Sequence, residues 1–166
     1  MQIAFVQFDG MTALDLIGFY DTLMRLPRFS TVEVAGDVCA VSQEICDQYA
    51  LSLRSQKVLP DLSGYDLIFV PGGLSAQNVT DDPVFVAWLQ TASAAAYKVS
   101  VCTGALLLGA AGFLAGKRAT THPSAYAELK PYCREVVHSR IVRDGHVITA
   151  GGSLRLSTSD YMSSKS

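Results

Sequence analysis

Charge of one sign is what this chain of 166 residues lacks: 13 Lys and Arg stand against 15 Asp and Glu, a formal net charge of −2. No basic stripe breaks that balance, so binding of nucleic acid by this chain alone is not expected. Long apolar runs are missing as well. Residues 2–8 are apolar but run straight into Asp9-Gly10, too short a stretch for a signal-peptide core or a membrane span. Cysteine is sparse, and Cys39, Cys46, Cys102 and Cys133 match no zinc-binding spacing. A chain of this length buries enough core to need no disulfide staple, so free thiols in a reducing cytoplasm are expected. Repeats, linkers and breaks in composition are absent too, which implies one domain.

What is present is concentrated in residues 98–112. Residues 99–101 are β-branched and apolar apart from Ser100, as a parallel strand covered on both faces would be. Residues 105–111 read as a helix of small and aliphatic side chains, with Gly112 as its stop. Cys102 and Thr103 occupy the joint, followed by Gly104. The spacing Ser100-x-Cys102-x-Gly104 echoes the nucleophile elbow of hydrolases, where small flanking residues allow a strained turn. A cysteine at that joint faces the free amides of the next helix, which favour the thiolate, its reactive form. It also reads as a small, inert core residue, and the stretch alone leaves both readings standing.

Around this stretch strands and helices alternate, the pattern of a mainly parallel sheet with helices on both faces. Strands are expected over 3–8, 31–34, 67–70, 99–101 and 118–121, and a polar, irregular stretch is expected through Cys39 and Cys46. Residues 51–58 suit a half-exposed strand or hairpin arm. Thr12 and Asp15 form a capping-box-like pair opening a helix to about Arg25, with Leu14, Ile17, Leu23 and Met24 as its buried face and Pro27 as its stop. Asp81-Asp82-Pro83 opens another helix, running to about Ala95. Pro123 begins a short one, to Leu129. Residues 139–143 and 146–149 flank Asp144-Gly145 as a hairpin.

In open parallel sheets, sites form beyond the C-terminal ends of the strands. Three strand ends here carry unusual residues: Asp15 after the first, Pro71-Gly72-Gly73 after the strand ending at Val70, and Cys102-Thr103 after the strand ending at Val101. Each has a plainer reading, Asp15 as a cap and the glycines as residues a tight turn requires. If the strands are neighbours, a carboxyl, a glycine turn and a thiol meet, and those are the parts of covalent catalysis.

As a set, Phe69-Val70-Pro71-Gly72-Gly73, Val101-Cys102-Thr103-Gly104-Ala105, Leu108-Gly109-Ala110-Ala111-Gly112, Gly116 through His122, and Asp15-Leu16 with Gly18 resemble the ThiJ/PfpI superfamily over about residues 3–152. Cys-Thr at the elbow and aspartate in the first helix are most similar to its isonitrile (isocyanide) hydratase branch. Protease-like members carry histidine directly after the cysteine; Thr103 stands there in this chain, which argues against peptidase chemistry.

The resemblance implies a flavodoxin-like three-layer α/β sandwich of the class I glutamine amidotransferase type, a cytoplasmic homodimer, and neither metal nor organic cofactor. It implies a carbon–nitrogen lyase in which Cys102 attacks the isonitrile carbon and Asp15 acts as general acid. Thr103 would orient the thiol, and Gly72, Gly73 and Gly104 would line the oxyanion and substrate site. His122, in the Thr-Thr-His motif, is expected near the cleft mouth, either behind the thiol or in a structural hydrogen bond. His138 and His146 are expected on the surface.

Relatives in the superfamily continue past Gly152 into a long apolar helix. Residues 153–166 are instead serine-rich and without helical periodicity, so the α/β domain is expected to end at 152, with the covering helix missing and the tail truncated or disordered. Two other functions fit the resemblance. One is a ligand-sensing domain like those of AraC-type regulators, and the other a stress-response or glyoxal-handling protein with Cys102 as an oxidisable thiol.

Overall fold

Strands that are apolar at every position need cover on both faces, and helices flanking the sheet supply it. The computed structural model describes residues 1–152; the expectations for the tail lie outside the described residues. In chain order the first half comprises β1 (Gln2–Val6), α1 (Ala13–Met24), β2 (Ala35–Ala40), β3 (Glu44–Cys46), β4 (Ser52–Arg54), β5 (Lys57–Val58), β6 (Leu67–Val70) and α2 (Ala76–Val79). The second comprises α3 (Pro83–Gln90), β7 (Tyr97–Val101), α4 (Gly104–Ala110), β8 (Arg118–Ala119), α5 (Tyr126–Leu129), β9 (Glu135–Val136), β10 (Ile141–Asp144) and β11 (Val147–Ala150).

Seven strands form one sheet in the order β10-β11-β7-β6-β1-β2-β5, with only β10 and β11 antiparallel. Leaving out the short edge strand β5, the parallel strands follow the flavodoxin-like order 2-1-3-4-5. The chain reverses direction across the sheet between β1 and β6, where such folds open a crevice. Ile3, Ala4, Phe5 and Val6 of β1 and Ile68, Phe69 and Val70 of β6 are fully buried. Register pairs Phe5 with Phe69 and Val70 with Ser100, so β1, β6 and β7 end along one edge and their following loops leave side by side. Among the described residues no helix is long and apolar enough to cross a membrane.

Of the face expected for α1, Leu23 and Met24 pack against the core, but Leu14 and Ile17 do not. Leu14 is 56% and Ile17 48% exposed, whereas Leu16 is buried and Phe19, Tyr20 and Leu23 pack against the core. Residues 16, 19, 20 and 23 follow the i, i+3, i+4, i+7 spacing of one helical stripe. They also carry the larger area: Phe19 stacks on Phe69 at 3.9 Å between centroids, and Tyr20 meets Phe5 edge-on at 4.9 Å.

The second strand is β2, not residues 31–34, because its register against β1 starts at Gln2 opposite Ala35. Cys39 and Cys46, expected in irregular chain, lie in β2 and β3, and the arm over 51–58 divides into β4, paired with β3, and β5, paired with β2. The strand expected over 118–121 keeps only β8, which pairs with β9 outside the main sheet. The last hairpin turns at Gly145-His146, one residue later than expected, with Gly145 at φ +63°.

Truncating Leu16 to alanine removes a fully packed side chain, and urea unfolding should show a loss of about 3 kcal/mol.

Candidate active site

The loops leaving β1, β6 and β7 build the site. The first, residues 7–12, is stitched to both of its neighbours. Thr12 N–H donates to Gly72 C=O at 2.7 Å, Gln48 N–H donates to Met11 C=O at 2.9 Å, and the Ser75 hydroxyl donates to Asp9 C=O. These bonds fix where α1 begins. The expected capping box does not form. The Thr12 hydroxyl donates to Gln48 Oε1 at 3.2 Å, and the Asp15 carboxylate accepts Gly72 N–H at 3.2 Å. Asp15 is 4% exposed, so its charge is turned into the protein rather than toward solvent.

The elbow follows β7. Cys102 has φ +52°, in the left-handed region that non-glycine residues rarely enter. Glycines make the turn possible by letting backbones approach. A β-carbon on Gly72 would stand 2.6 Å from the Cys102 β-carbon and 2.7 Å from the Thr103 nitrogen. One on Gly104 would run into the carbonyl oxygens of Val70 and Pro71. Gly104 therefore packs the start of α4 on the end of β6, while Gly72 lies against the nucleophile turn.

Thr103 locks the two loops together: its hydroxyl accepts Gly73 N–H at 2.9 Å and donates to Gly73 C=O at 3.0 Å. The Gly72 and Gly73 amides, expected to face a ligand, are thus engaged by Asp15 and Thr103. On its other side the elbow is tied to the chain after β8. The Thr121 hydroxyl donates to Cys102 C=O at 2.9 Å, and His122 N–H reaches the same oxygen at 3.3 Å.

The electrostatics run against the sequence expectation of a stabilised thiolate. Burial, and then the negative charge of Asp15, push the Cys102 thiol up from its ordinary value; the Thr103 N–H and hydroxyl pull it part of the way back. The net effect favours the protonated thiol over the thiolate. Elevation alone does not distinguish Cys102, because burial raises Cys39 to about 11 and also raises Cys133. What separates Cys102 is its strained turn, since Cys133 is also partly exposed and both Cys39 and Cys133 also have a carboxylate acting on them.

The His122 side chain is exposed and serves the turn that follows it. Its Nδ1 lies 2.7 Å from the Ser124 hydroxyl and accepts Ser124 N–H at 3.3 Å. His138 and His146 are exposed; His138 stacks on Tyr126, and His146 lies tilted against Tyr97 at 4.7 Å between centroids. Sequence reading overlooked Thr121, whose β-branched side chain simply reads as strand; its place in the Thr-Thr-His motif was the available signal. Among the described residues no group of three or more His, Cys, Asp or Glu side chains is placed to hold a metal ion.

A buried carboxylate and a cysteine on a left-handed turn, at the C-terminal edge of a flavodoxin-like sheet, define a class of thiol-bearing α/β proteins. The chain belongs to the DJ-1/PfpI family, whose model matches residues 1–158. It is 40% identical over 154 residues to an isonitrile hydratase from Pseudomonas putida, covering 92% of this chain and 65% of that protein's length. It is 32% identical over 133 residues to an uncharacterized protein in the cpoL 5' region of Streptomyces lividans, covering 80% of this chain and 94% of that one. Among solved structures, a ThiJ/PfpI family protein from Pseudomonas syringae superposes with a TM-score of 0.82 at 29% identity, over 91% of this chain and 62% of that one. DJ-1 from Schizosaccharomyces pombe shares the fold, with a TM-score of 0.75 at 16% identity over 92% of this chain and 84% of that chain.

Asp15→Asn removes the charge that opposes the thiolate and keeps an acceptor for Gly72 N–H. Alkylation of Cys102 by iodoacetamide should therefore speed up at neutral pH, with its rise shifted to lower pH, as peptide mass spectrometry over a pH series would show.

Proposed function

We propose that this chain hydrates isonitriles to N-substituted formamides through a covalent adduct on Cys102. The observation that carries the reading is the buried Asp15 charge acting on a thiol held at positive φ. The 40% identity to an isonitrile hydratase supports the choice of substrate class.

In the first step the Cys102 sulfur bonds to the terminal carbon of R–N≡C, and the thiol proton passes by way of Asp15 to that carbon, giving the thioimidate S–CH=N–R. The step consumes the thiol proton, so it does not call for a preformed thiolate. Water then adds across C=N: oxygen joins the carbon, one water proton goes to nitrogen, and Asp15 relays it. Collapse of the S–CH(OH)–NH–R adduct breaks the carbon–sulfur bond, returns a proton to sulfur and releases HC(=O)–NH–R. Thr103 steadies the sulfur through its amide, while its hydroxyl holds Gly73. Gly72 and Gly73 shape the wall beside it, Gly104 fixes the helix behind it, and His122 borders the cleft.

A homodimer is part of the same reading. Leu14 and Ile17 are exposed large apolar side chains on the helix that carries Asp15, and a second copy covering them would shield apolar surface beside the site. A second functional reading, a stress-response thiol, draws on similarity to an Arabidopsis thaliana DJ-1 homologue, 29% identical over 148 residues, covering 86% of this chain and 37% of that protein.

Incubating the protein with an alkyl isocyanide and following the formamide proton by NMR tests the reaction. Turnover is expected in the parent and none in Cys102→Ala, which should remain folded by circular dichroism; an active Cys102→Ala protein overturns the mechanism. Oxidation of Cys102 to the sulfinic acid by mild peroxide without formamide would favour the second reading, and isocyanide binding without either a sensing role. Sedimentation should show the parent as a dimer and Ile17→Glu as a monomer.

A further inference from the structure

The Thr120-Thr121-His122 run is a motif that the proposed chemistry leaves without a part. Thr120 is held in the fold by its amide, which donates to the Thr149 hydroxyl at 2.8 Å, and by its own hydroxyl on Ser139 C=O at 3.0 Å. His122 turns its ring to Ser124. Thr121 differs from both. Like Thr120 it is fully buried, but its hydroxyl is spent on the Cys102 carbonyl at 2.9 Å, seconded by the His122 amide at 3.3 Å.

A trans peptide is planar, so its C=O and the following N–H point in opposite directions. Fixing the Cys102 oxygen therefore aims the Thr103 N–H, and that N–H reaches the Cys102 sulfur. The arrangement matters because Cys102 sits at φ +52°, a conformation that persists only where the surroundings over-determine it. Released from its tether, the peptide between Cys102 and Thr103 gains room to rotate. That rotation would replace a donor beside the sulfur with a carbonyl oxygen, which repels a developing thiolate.

We propose that Thr121 is a positioning residue for the nucleophile, its hydroxyl holding the Cys102 carbonyl so that the Thr103 amide faces the sulfur. The proposal rests on the reading of Cys102 as the reactive thiol. Among the described residues, Asp15 from α1 is the charged group acting on that thiol, and the Thr103 amide and hydroxyl are the polar ones. Thr121 acts only through the peptide between them. Threonine suits the task because branching at the β-carbon restricts its χ1, which keeps the hydroxyl on target.

The test is alkylation of Cys102 by iodoacetamide in the whole chain, read by mass spectrometry of the Cys102 peptide across the neutral and alkaline range. Thr121→Val keeps the shape and removes the donor. It should slow alkylation roughly three- to tenfold below the inflection and move the inflection to higher pH, the size of effect that loss of one hydrogen bond allows. Thr121→Ser keeps the donor and should stay within about twofold of the parent. If the Val variant does not fold by circular dichroism, Thr121→Ala against Thr121→Ser makes the same comparison, since both lack the methyl and only Ser can donate. A donor-less variant with the parent's rate and inflection overturns the proposal. Formamide formation is measured separately: a parent that makes none, yet whose alkylation responds to Thr121, overturns the hydratase reading and supports this one.

Discussion

At Cys102 the backbone enters a region that a β-carbon disfavours by about 1–3 kcal/mol, and it stays there because the turn is tied from two directions. Toward β6, the Thr103 hydroxyl grips both the amide and the carbonyl of Gly73. Toward β8, the Cys102 carbonyl takes two hydrogen bonds from Thr121 and His122. The turn also depends on two positions that hold no side chain, Gly72 and Gly104, where the strand ends close on each other. The parallel sheet makes this feasible: register sets the ends of β1, β6 and β7 at one level, so three separate loops can share hydrogen bonds at a single point.

The second constraint is electrical. A carboxylate that is almost wholly buried beside a thiol penalises the charged form of that thiol, and burial adds to the penalty. A site selected only for a persistent thiolate would place a cation there. This one holds an acid and a thiol in mutual opposition, an arrangement suited to passing one proton back and forth. The Gly72 amide gives the carboxylate a partner, so the opposition is tolerated in the resting protein.

Much of the architecture was legible from the chain. β1 and β6 read clearly because two-sided burial demands an apolar run, β7 does so only in part because Lys98 and Ser100 interrupt it, and the small residues around Cys102 signalled a sharp turn. The convergence of Asp15, the glycine turn and the elbow followed from the rule for strand ends. Other features needed three dimensions. Helix α1 has apolar residues on two faces, Leu14 and Ile17 on one, Leu16, Phe19, Tyr20 and Leu23 on the other. Only the aromatic rings waiting on β1 and β6 decide between them. Thr31, Val32 and Val34 have strand-forming side chains, yet pairing with β1 begins at Ala35, so register overruled propensity. The direction of the Cys102 shift turns on burial and on a charge supplied from a helix 87 positions earlier in the chain, by the numbering of Asp15 and Cys102, and no local pattern reports either.

The two margins of the sheet carry a consequence of their own. At one margin β5 contributes only Lys57 and Val58, and Lys57 is held by Asp37 at 2.8 Å. At the other, β10 presents Arg143 and Asp144, and Asp144 Oδ2 is occupied by Arg118 N–H at 2.9 Å. Short strands and charged side chains are the usual guards against edge-to-edge stacking. Neither margin among the described residues offers a long flat row of free peptide groups. Among the described residues, both edges of the sheet are therefore guarded against growth by strand addition.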